Sequence, residues 1–420
     1  MQTKTVVIVG GGFAGLSAAK VLANKPEVEV ILIDQRNHHL FQPLLYQVAT
    51  AGLNPSDIAV PIRGQFPKAP NVEVHLGRIE NINLREKYLQ IPEGKLSFDY
   101  LILACGAQHS YFGNPQWEDF APGLKSVEQA TEIRRRILTA FEEAENEISE
   151  ERQKELLTFV IVGGGPTGVE LAGAIADISR TVLVKDFNRI NPASAHVILL
   201  EAGPRILASF DEKLSAQAKS DLETLGVDVR LGARVMKIDG SGVQVGNDWI
   251  AAKAVFWAAG VKAAKMHLDP TVELDRAGRI KVKGDFSVPG FPSAFVVGDM
   301  ASFEMSAGKF LPGLAPAAIQ GGKYVAQVIL NEIRGRARGN SFQYLDKGQM
   351  ATIGKKKAIA QAKFFKMTGF LAWVAWLYVH ILYLISFKNK FSVFLQWSWS
   401  YLFSKRGARL ITERDWKLKD

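Results

Sequence analysis

Unbroken apolar runs that end on glycine organise this chain. Val6–Val9 leads into Gly10, and residues 5–23, TVVIVGGGFAGLSAAKVLA, predict a strand, a glycine turn and a helix. Val28–Ile33 is a second run, closed by Asp34. Strands that are apolar at every position suit a parallel sheet covered on both faces, so the opening predicts a βαβ unit. The same order returns in residues 156–176, LLTFVIVGGGPTGVELAGAIA, followed by AHVILLEAG over 195–203. A whole unit therefore occurs twice.

Between the two units, Val127–Leu156 predicts one long polar helix. Ser126 and Gln129 form a capping box at its start, and Ile133, Ile137, Phe141, Ala144 and Ile148 recur at helical spacing as its buried stripe. The Arg134–Arg136 run reads as a solvated face rather than a nucleic-acid patch, because acidic residues dominate the turns that follow. Beyond the second unit come a β-rich stretch over Val227–Val245 and a strand ending in Gly260. Another strand, Ala294–Val297, runs into Gly298 and Asp299, and Arg334–Asn340 predicts a linker.

Gly10, Gly12 and Gly15 satisfy G-x-G-x-x-G directly after a strand and before a helix. The first glycine permits the tight turn, the second lets a pyrophosphate approach the backbone, and the third allows close helix–strand packing. Asp34, 24 residues after Gly10, sits where a carboxylate accepts ribose hydroxyl hydrogen bonds. Gly163, Gly165 and Gly168 repeat the motif, and Glu201 closes the next strand 38 residues after Gly163. That long spacing predicts a loop insertion at Thr181–Ser194. A carboxylate at the ribose repels a 2′-phosphate, which favours NADH over NADPH, while Arg205 four residues on opposes the preference. Two such units imply two dinucleotides, most economically a flavin and a nicotinamide.

At 420 residues and 47% hydrophobic, the chain supports two folded domains plus an addition. The single cysteine, Cys105, excludes a disulfide framework, a CxxC redox pair and a multi-thiolate zinc site, and its apolar surroundings read as inert packing. The seven histidines show no metal-ligand spacing, so no metal is expected. Charge is uneven: residues 355–420 hold 13 Lys/Arg against 3 Asp/Glu, together with Trp373, Trp376, Trp397, Trp399 and Trp416. Phe370–Phe387 runs 18 residues without a charge, with Lys363 and Lys366 before it and Lys388 and Lys390 after it. Length alone, about 27 Å as a helix, allows a span, but cations on both flanks favour two helices lying in the headgroup layer. A hairpin in the protein core is the remaining alternative. No room for a cleavable leader precedes Val6, which places the body in the cytoplasm by expectation.

Five stretches together resemble one family: GGGFAGLSAA at Gly10, HHLFQPLLYQVATAGL from His38, GGGPTGVELAG at Gly163, FVVGDMA around Asp299, and LPGLAPAAIQ ending at Gln320. The chain is similar to the two-dinucleotide-binding flavoproteins and, among them, to the type II NADH dehydrogenases, the non-proton-pumping NADH:quinone oxidoreductases. The resemblance implies an α/β fold of two Rossmann-like dinucleotide-binding domains plus a C-terminal helical membrane-anchoring region. FAD would occupy residues 1–120 and a return segment 286–340, NADH residues 121–285 with a core at 156–285, and the anchor residues 341–420. It further implies that Gly10, Gly12, Ala14, Gly15, Asp34, Ile79, Gly106, Asp299, Ala315, Pro316 and Lys388 serve FAD, and that Gly163, Gly165, Gly168, Glu201 and Gly260 serve NADH. Glu170 and Gln320 are the implied catalytic pair: Glu170, near the flavin–nicotinamide junction and expected to have a raised pKa among apolar neighbours, relays protons to the reduced quinone, and Gln320 faces the quinone. The family's A-Q-x-A-x-Q segment reads Ala315-Pro316-Ala317-Ala318-Ile319-Gln320 here, so its first glutamine is replaced by Pro316.

The expected partners are a membrane quinone and the lipid surface, on the cytoplasmic face of the membrane as a monotopic protein, with no nucleic acid and with a homodimer left open. A flavin- and NADH-binding redox sensor and an oxygen-using NADH oxidase are the alternative functions.

Overall fold

The computed structural model describes residues 3–403 and 407–412; Trp416 lies outside them. The chain divides into two compact units. The first comprises Met1–Leu40, Ala59–Gln108 and Val261–Lys347. The second comprises Phe41–Ile58, His109–Gly260 and Gly348–Asp420.

In the first unit, a six-stranded sheet has the order Ser287–Val288, Phe291–Val296, Tyr100–Leu103, Lys4–Val9, Val28–Asp34, Val72–Leu76. Every pairing is parallel except that of the outermost hairpin, and the register sets Val6 opposite Val30 on one side and Tyr100 on the other. Val6, Val7 and Ile8 have no solvent exposure, as strands covered on both faces require. The order reverses at Lys4–Val9, which is where an open α/β sheet leaves its ligand crevice. Helices Phe13–Leu22 and Ala315–Ile333 pack closely because Gly322 meets the Ala14 carbonyl with no room for a side chain between them.

The second unit carries a parallel sheet ordered Val227–Arg230, His196–Leu200, Thr158–Val162, Ala254–Trp257. An antiparallel sheet of Gln349–Thr352, Ala358–Ala362 and Phe365–Thr368 belongs to the same unit.

Strand pairing moves the predicted boundaries. Residues 261–285 fold with the first unit, because His267–Asp269 pairs with Asn81–Asn83 and Ile280–Lys281 with Ala301–Ser302. The long polar helix is two: Val127–Asn146 and Glu150–Leu156. Ser149 caps the second by accepting from the Arg152 N–H, and Glu147 is extended between them. Ile148 is consequently 85% exposed instead of continuing the stripe formed by Ile133, Ile137, Phe141 and Ala144. The capping box is also shifted: Gln129 N–H donates to Ser126 Oγ, but its side chain accepts from Lys125 N–H. Arg135 and Arg136 both pair with Glu132, and Arg134 is buried, donating to the Ala408 carbonyl. The insertion Thr181–Ser194 is not a plain loop but a π-helical turn at Ile178–Val182 followed by short 3₁₀ turns.

The apolar tail forms helices Gly369–Tyr383 and Phe387–Phe403, separated at Leu384–Ser386, where Ser386 takes a positive φ of 75°. The first, 15 residues long, spans about 22 Å. Among the described residues no helix is long and apolar enough to cross a membrane. Ala372, Trp373 and Trp376 face inward, whereas Phe370, Leu371, Val374, Tyr378 and Leu382 are exposed. On the second helix Phe387, Phe391, Phe394, Leu395 and Trp399 are exposed, while Val393 and Trp397 are buried. Asp57 fastens this helix: it is 7% exposed and accepts from Ser392 Oγ and Gln396 Nε2, each at 2.9 Å.

Candidate active site

Both glycine turns fold alike. Gly10 and Gly163 adopt φ of 108° and 111°, a region in which only glycine is unstrained. A methyl on Gly15 or Gly168 would collide with the carbonyl of Gly10 or Gly163, so the third glycine sets how close the helix comes. Gly12 and Gly165 have nothing within 4 Å of a would-be Cβ, leaving the turn open to an incoming group. The helices that follow, Phe13–Leu22 and Pro166–Asp177, have neither a side-chain cap nor an acidic first turn. Their N–H groups therefore present an uncapped positive end, suited to a pyrophosphate.

Each turn is braced by its acid. Asp34 accepts from the N–H of Gly11 at 2.5 Å and of Arg36 at 2.7 Å. Glu201 accepts from Gly164 at 2.7 Å and from Gly203 at 2.6 Å. The sequence reads these carboxylates as ribose acceptors; what the structure places on them is the backbone of the turn, a clamp whose signal is a strand end beside a glycine turn. Arg205, which could have favoured a 2′-phosphate, donates to the carbonyls of Phe210 and Ala208 instead.

In the first unit Ala14 is buried, with its Cβ 3.5 Å from the position a Cβ on Gly298 would take. Asp299 lies in the short turn Gly298–Met300, and its Oδ1 is 3.3 Å from the corresponding position on Gly313. Ile79 is buried, and Gly106 turns with φ of 70° over open space. Ala315 and Pro316 begin Ala315–Ile333, where proline suits the first turn because its missing N–H would find no helical partner. Gln320 pairs with the backbone of Leu345 in both directions, each bond 3.0 Å, which fixes the side chain and uses one of its two N–H donors. Cys105 N–H donates to Met300 Sδ, and burial pushes the thiol up to about 12, so it is no nucleophile.

In the second unit Gly260 has φ of 76°, and a Cβ there would lie 2.5 Å from the Phe112 ring. Lys388 is exposed in the first turn of Phe387–Phe403. Glu170 lies on Pro166–Asp177, and burial of its carboxyl pushes its pKa up to about 8, opposed by the Thr352 N–H 3.5 Å away. A carboxyl of that pKa is neutral at pH 7 and able to donate a proton. Tyr46 and Thr352 hydrogen-bond nearby at 3.0 Å, a pair that sequence reading did not single out although Tyr46 stands in the stretch from His38. Among the described residues no group of three or more His, Cys, Asp or Glu is placed to hold a metal ion.

The fold and the paired turns define a two-dinucleotide-binding oxidoreductase: residues 4–322 match the pyridine nucleotide-disulphide oxidoreductase family, and residues 347–406 match the NDH2 C-terminal domain. The chain is 44% identical over 429 residues to the type II NADH:quinone oxidoreductase Ndh of Mycobacterium tuberculosis, covering 97% of this chain and 90% of the relative. It is 30% identical over 448 residues to the mitochondrial internal alternative NAD(P)H-ubiquinone oxidoreductase A1 of Arabidopsis thaliana, covering 96% and 85%. Among solved structures, NDH2 of Plasmodium falciparum in complex with NADH superposes with a TM-score of 0.88 at 20% identity, over 97% of this chain and all of that one. The chain belongs to the type II NADH:quinone oxidoreductase family, and FAD and NADH are the dinucleotides its two turns fit.

Proposed function

We propose that this chain oxidises NADH and reduces a membrane quinone through FAD, with the first turn holding FAD and the second NADH. The observation that supports it is the pair of open, acid-braced glycine turns, one in each unit. The chemistry FAD supplies when bound is two-electron transfer from NADH to quinone. The protein's own work is positioning. Gly12 and Gly165 admit the pyrophosphates, Asp34 and Glu201 orient the turns and accept from ribose, and Asp299 stands in the return segment as a further FAD ligand. Ala14, Gly15, Ile79, Gly106, Ala315, Pro316 and Lys388 complete the FAD set, and Gly168 and Gly260 that of NADH. Glu170 carries a proton for the quinone, and Gln320, held by Leu345, offers it an amide N–H.

The tail docks the body on lipid from the cytoplasmic side. Its exposed Phe, Leu, Tyr and Trp side chains enter the headgroup layer, while Lys363, Lys366, Lys388 and Lys390 meet anionic lipid. The homodimer is tested by the mass of the detergent-solubilised protein. The central test is a flavin spectrum. Purified protein shows bound flavin, anaerobic NADH bleaches it, and a quinone analogue restores it over many turnovers. A flavin that NADH bleaches but quinone cannot reoxidise returns the redox sensor, and reoxidation by oxygen alone returns the oxidase.

A further inference from the structure

The second unit holds one large aromatic ring out in an unusual place. Phe112 is 67% exposed, and its backbone has a positive φ of 49°, a region that a bulky side chain rarely adopts. Glycine or asparagine would sit there with less strain, so a phenylalanine kept in that conformation points to a use for its ring.

The residues before it fix where the ring stands. Tyr111 is buried; its hydroxyl donates to the Ala121 carbonyl at 2.9 Å, and its ring lies 5.0 Å from that of Trp257. Ser110 is tied twice to the end of strand Ala254–Trp257. Its N–H donates to the Gly260 carbonyl at 3.3 Å, and its own carbonyl accepts from the Trp257 indole at 3.0 Å. The Phe112 ring therefore rests against Gly260, edge-on to Trp257 at 6.0 Å, and a Cβ on Gly260 would come within 2.5 Å of it.

That strand end forms one side of a ligand crevice. Thr158–Val162 has His196–Leu200, the next strand of the unit's parallel sheet, on one side and Ala254–Trp257 on the other, so the crevice opens at the Gly163 turn. The segment after Ala254–Trp257 packs directly on this turn, since a Cβ on Gly163 would lie 2.6 Å from the Ala259 nitrogen. A dinucleotide laid across such a crevice sets its adenosine ribose at the acid that closes the second strand, which is Glu201 here. Its other half passes beyond the pyrophosphate, toward Ala254–Trp257 and Gly260. The exposed face of Phe112 borders that half.

We propose that Phe112 is the apolar wall against which the nicotinamide half of NADH binds. The proposal rests on the reading of the second glycine turn as the NADH site. Burial of the ring face supplies the attraction, and stacking on the nicotinamide ring adds to it. Trp257 and Gly260 hold the side chain in place beforehand, so little of its freedom is lost on binding.

The test is calorimetry on the full-length, FAD-loaded protein with two probes that cannot reduce it. Tetrahydro-NADH keeps the whole nucleotide but has no hydride to transfer; ADP-ribose lacks the nicotinamide. Phe112→Ala is expected to weaken tetrahydro-NADH about tenfold and ADP-ribose less than about twofold, with Phe112→Tyr close to wild type. Equal loss for both probes, or no loss for either, overturns the proposal. Tighter binding of tetrahydro-NADH overturns it as well, because the ring would then be a cover to be displaced. Should Phe112→Ala melt early, Phe112→Asn decides by the same comparison, since asparagine tolerates the positive φ. Gly165→Val tests the reading beneath: a side chain in the open turn should weaken both probes. If it weakens neither, the second turn is not the NADH site and the proposal falls with it; if it weakens both while Phe112→Ala changes nothing, the role of Phe112 alone is refuted.

Discussion

Glu201 Oε2 lies 2.7 Å from the N–H of Gly164, so the acid expected to read the nicotinamide ribose also fixes the second glycine turn. Its other oxygen holds Gly203. The turn geometry therefore rests on one side chain, and Arg205 is occupied with backbone carbonyls.

Glu201→Ala is expected to narrow the gap between NADH and NADPH and to weaken both, because a braced turn is lost along with the repulsion of a 2′-phosphate. Glu201→Gln, which keeps an acceptor for the turn but drops the charge, should narrow the gap with less loss for NADH. The measurement is kcat/KM for both nucleotides; equal wild-type values would refute the assignment.

Glu170→Gln is expected to retain FAD and NADH binding and to slow quinone reduction by roughly 10²- to 10⁴-fold if the carboxyl is a general acid. Wild-type quinone reduction should decline as pH rises through about 8, where the carboxyl loses its proton, and the variant should lack that limb. Stability shifts in the matching direction. A carboxyl whose folded pKa stands above its ordinary 4.5 binds more protons folded than unfolded, so stability falls as pH climbs from there to about 8. Thermal melts should show Glu170→Gln gaining on wild type across that window and holding a constant lead beyond it.

Phe391→Ser and Trp399→Ser address the tail. Both side chains are more than half exposed, so neither change should lower the melting temperature much. Each removes about 1.5–3 kcal/mol of apolar burial wherever that side chain enters lipid. Vesicle cosedimentation should fall stepwise in the single and double variants. High salt should only weaken wild-type binding, because the apolar share is unscreened; complete release by salt would mean a purely electrostatic tail.

Asp57→Ala should loosen the last helix. It removes the acceptor of Ser392, Gln396 and the Asn54 N–H in a buried setting, at about 1–3 kcal/mol for groups left unpaired. Hydrogen exchange should rise across Phe387–Phe403 first, and Trp397, whose indole is bonded to Gln47, should report the change in its fluorescence. Protection unchanged there would show that the clasp adds nothing to apolar packing.

Local pattern determined what lies close along the chain. The two strand–turn–helix starts, with Asp34 and Glu201 closing the next strands, were legible because each turn needs particular residues within a short span, and steric demands at Gly10 and Gly163 admit nothing but glycine. The uncharged run Phe370–Phe387 reads as one helix, whereas the structure breaks it at Leu384–Ser386, so that Lys388 and Lys390 lie inside the second helix. The tertiary structure alone decided what distant segments do together. Residues 261–285 join the first unit through ladders to strands 81–83 and 301–302, pairings that carry no signature in either partner. Ile148 follows the helical period, yet Ser149 competes for the backbone and turns it out to solvent. Tyr46 meets Thr352 across 306 positions. Periodicity records which face of an element is buried; it does not record what the fold packs against that face.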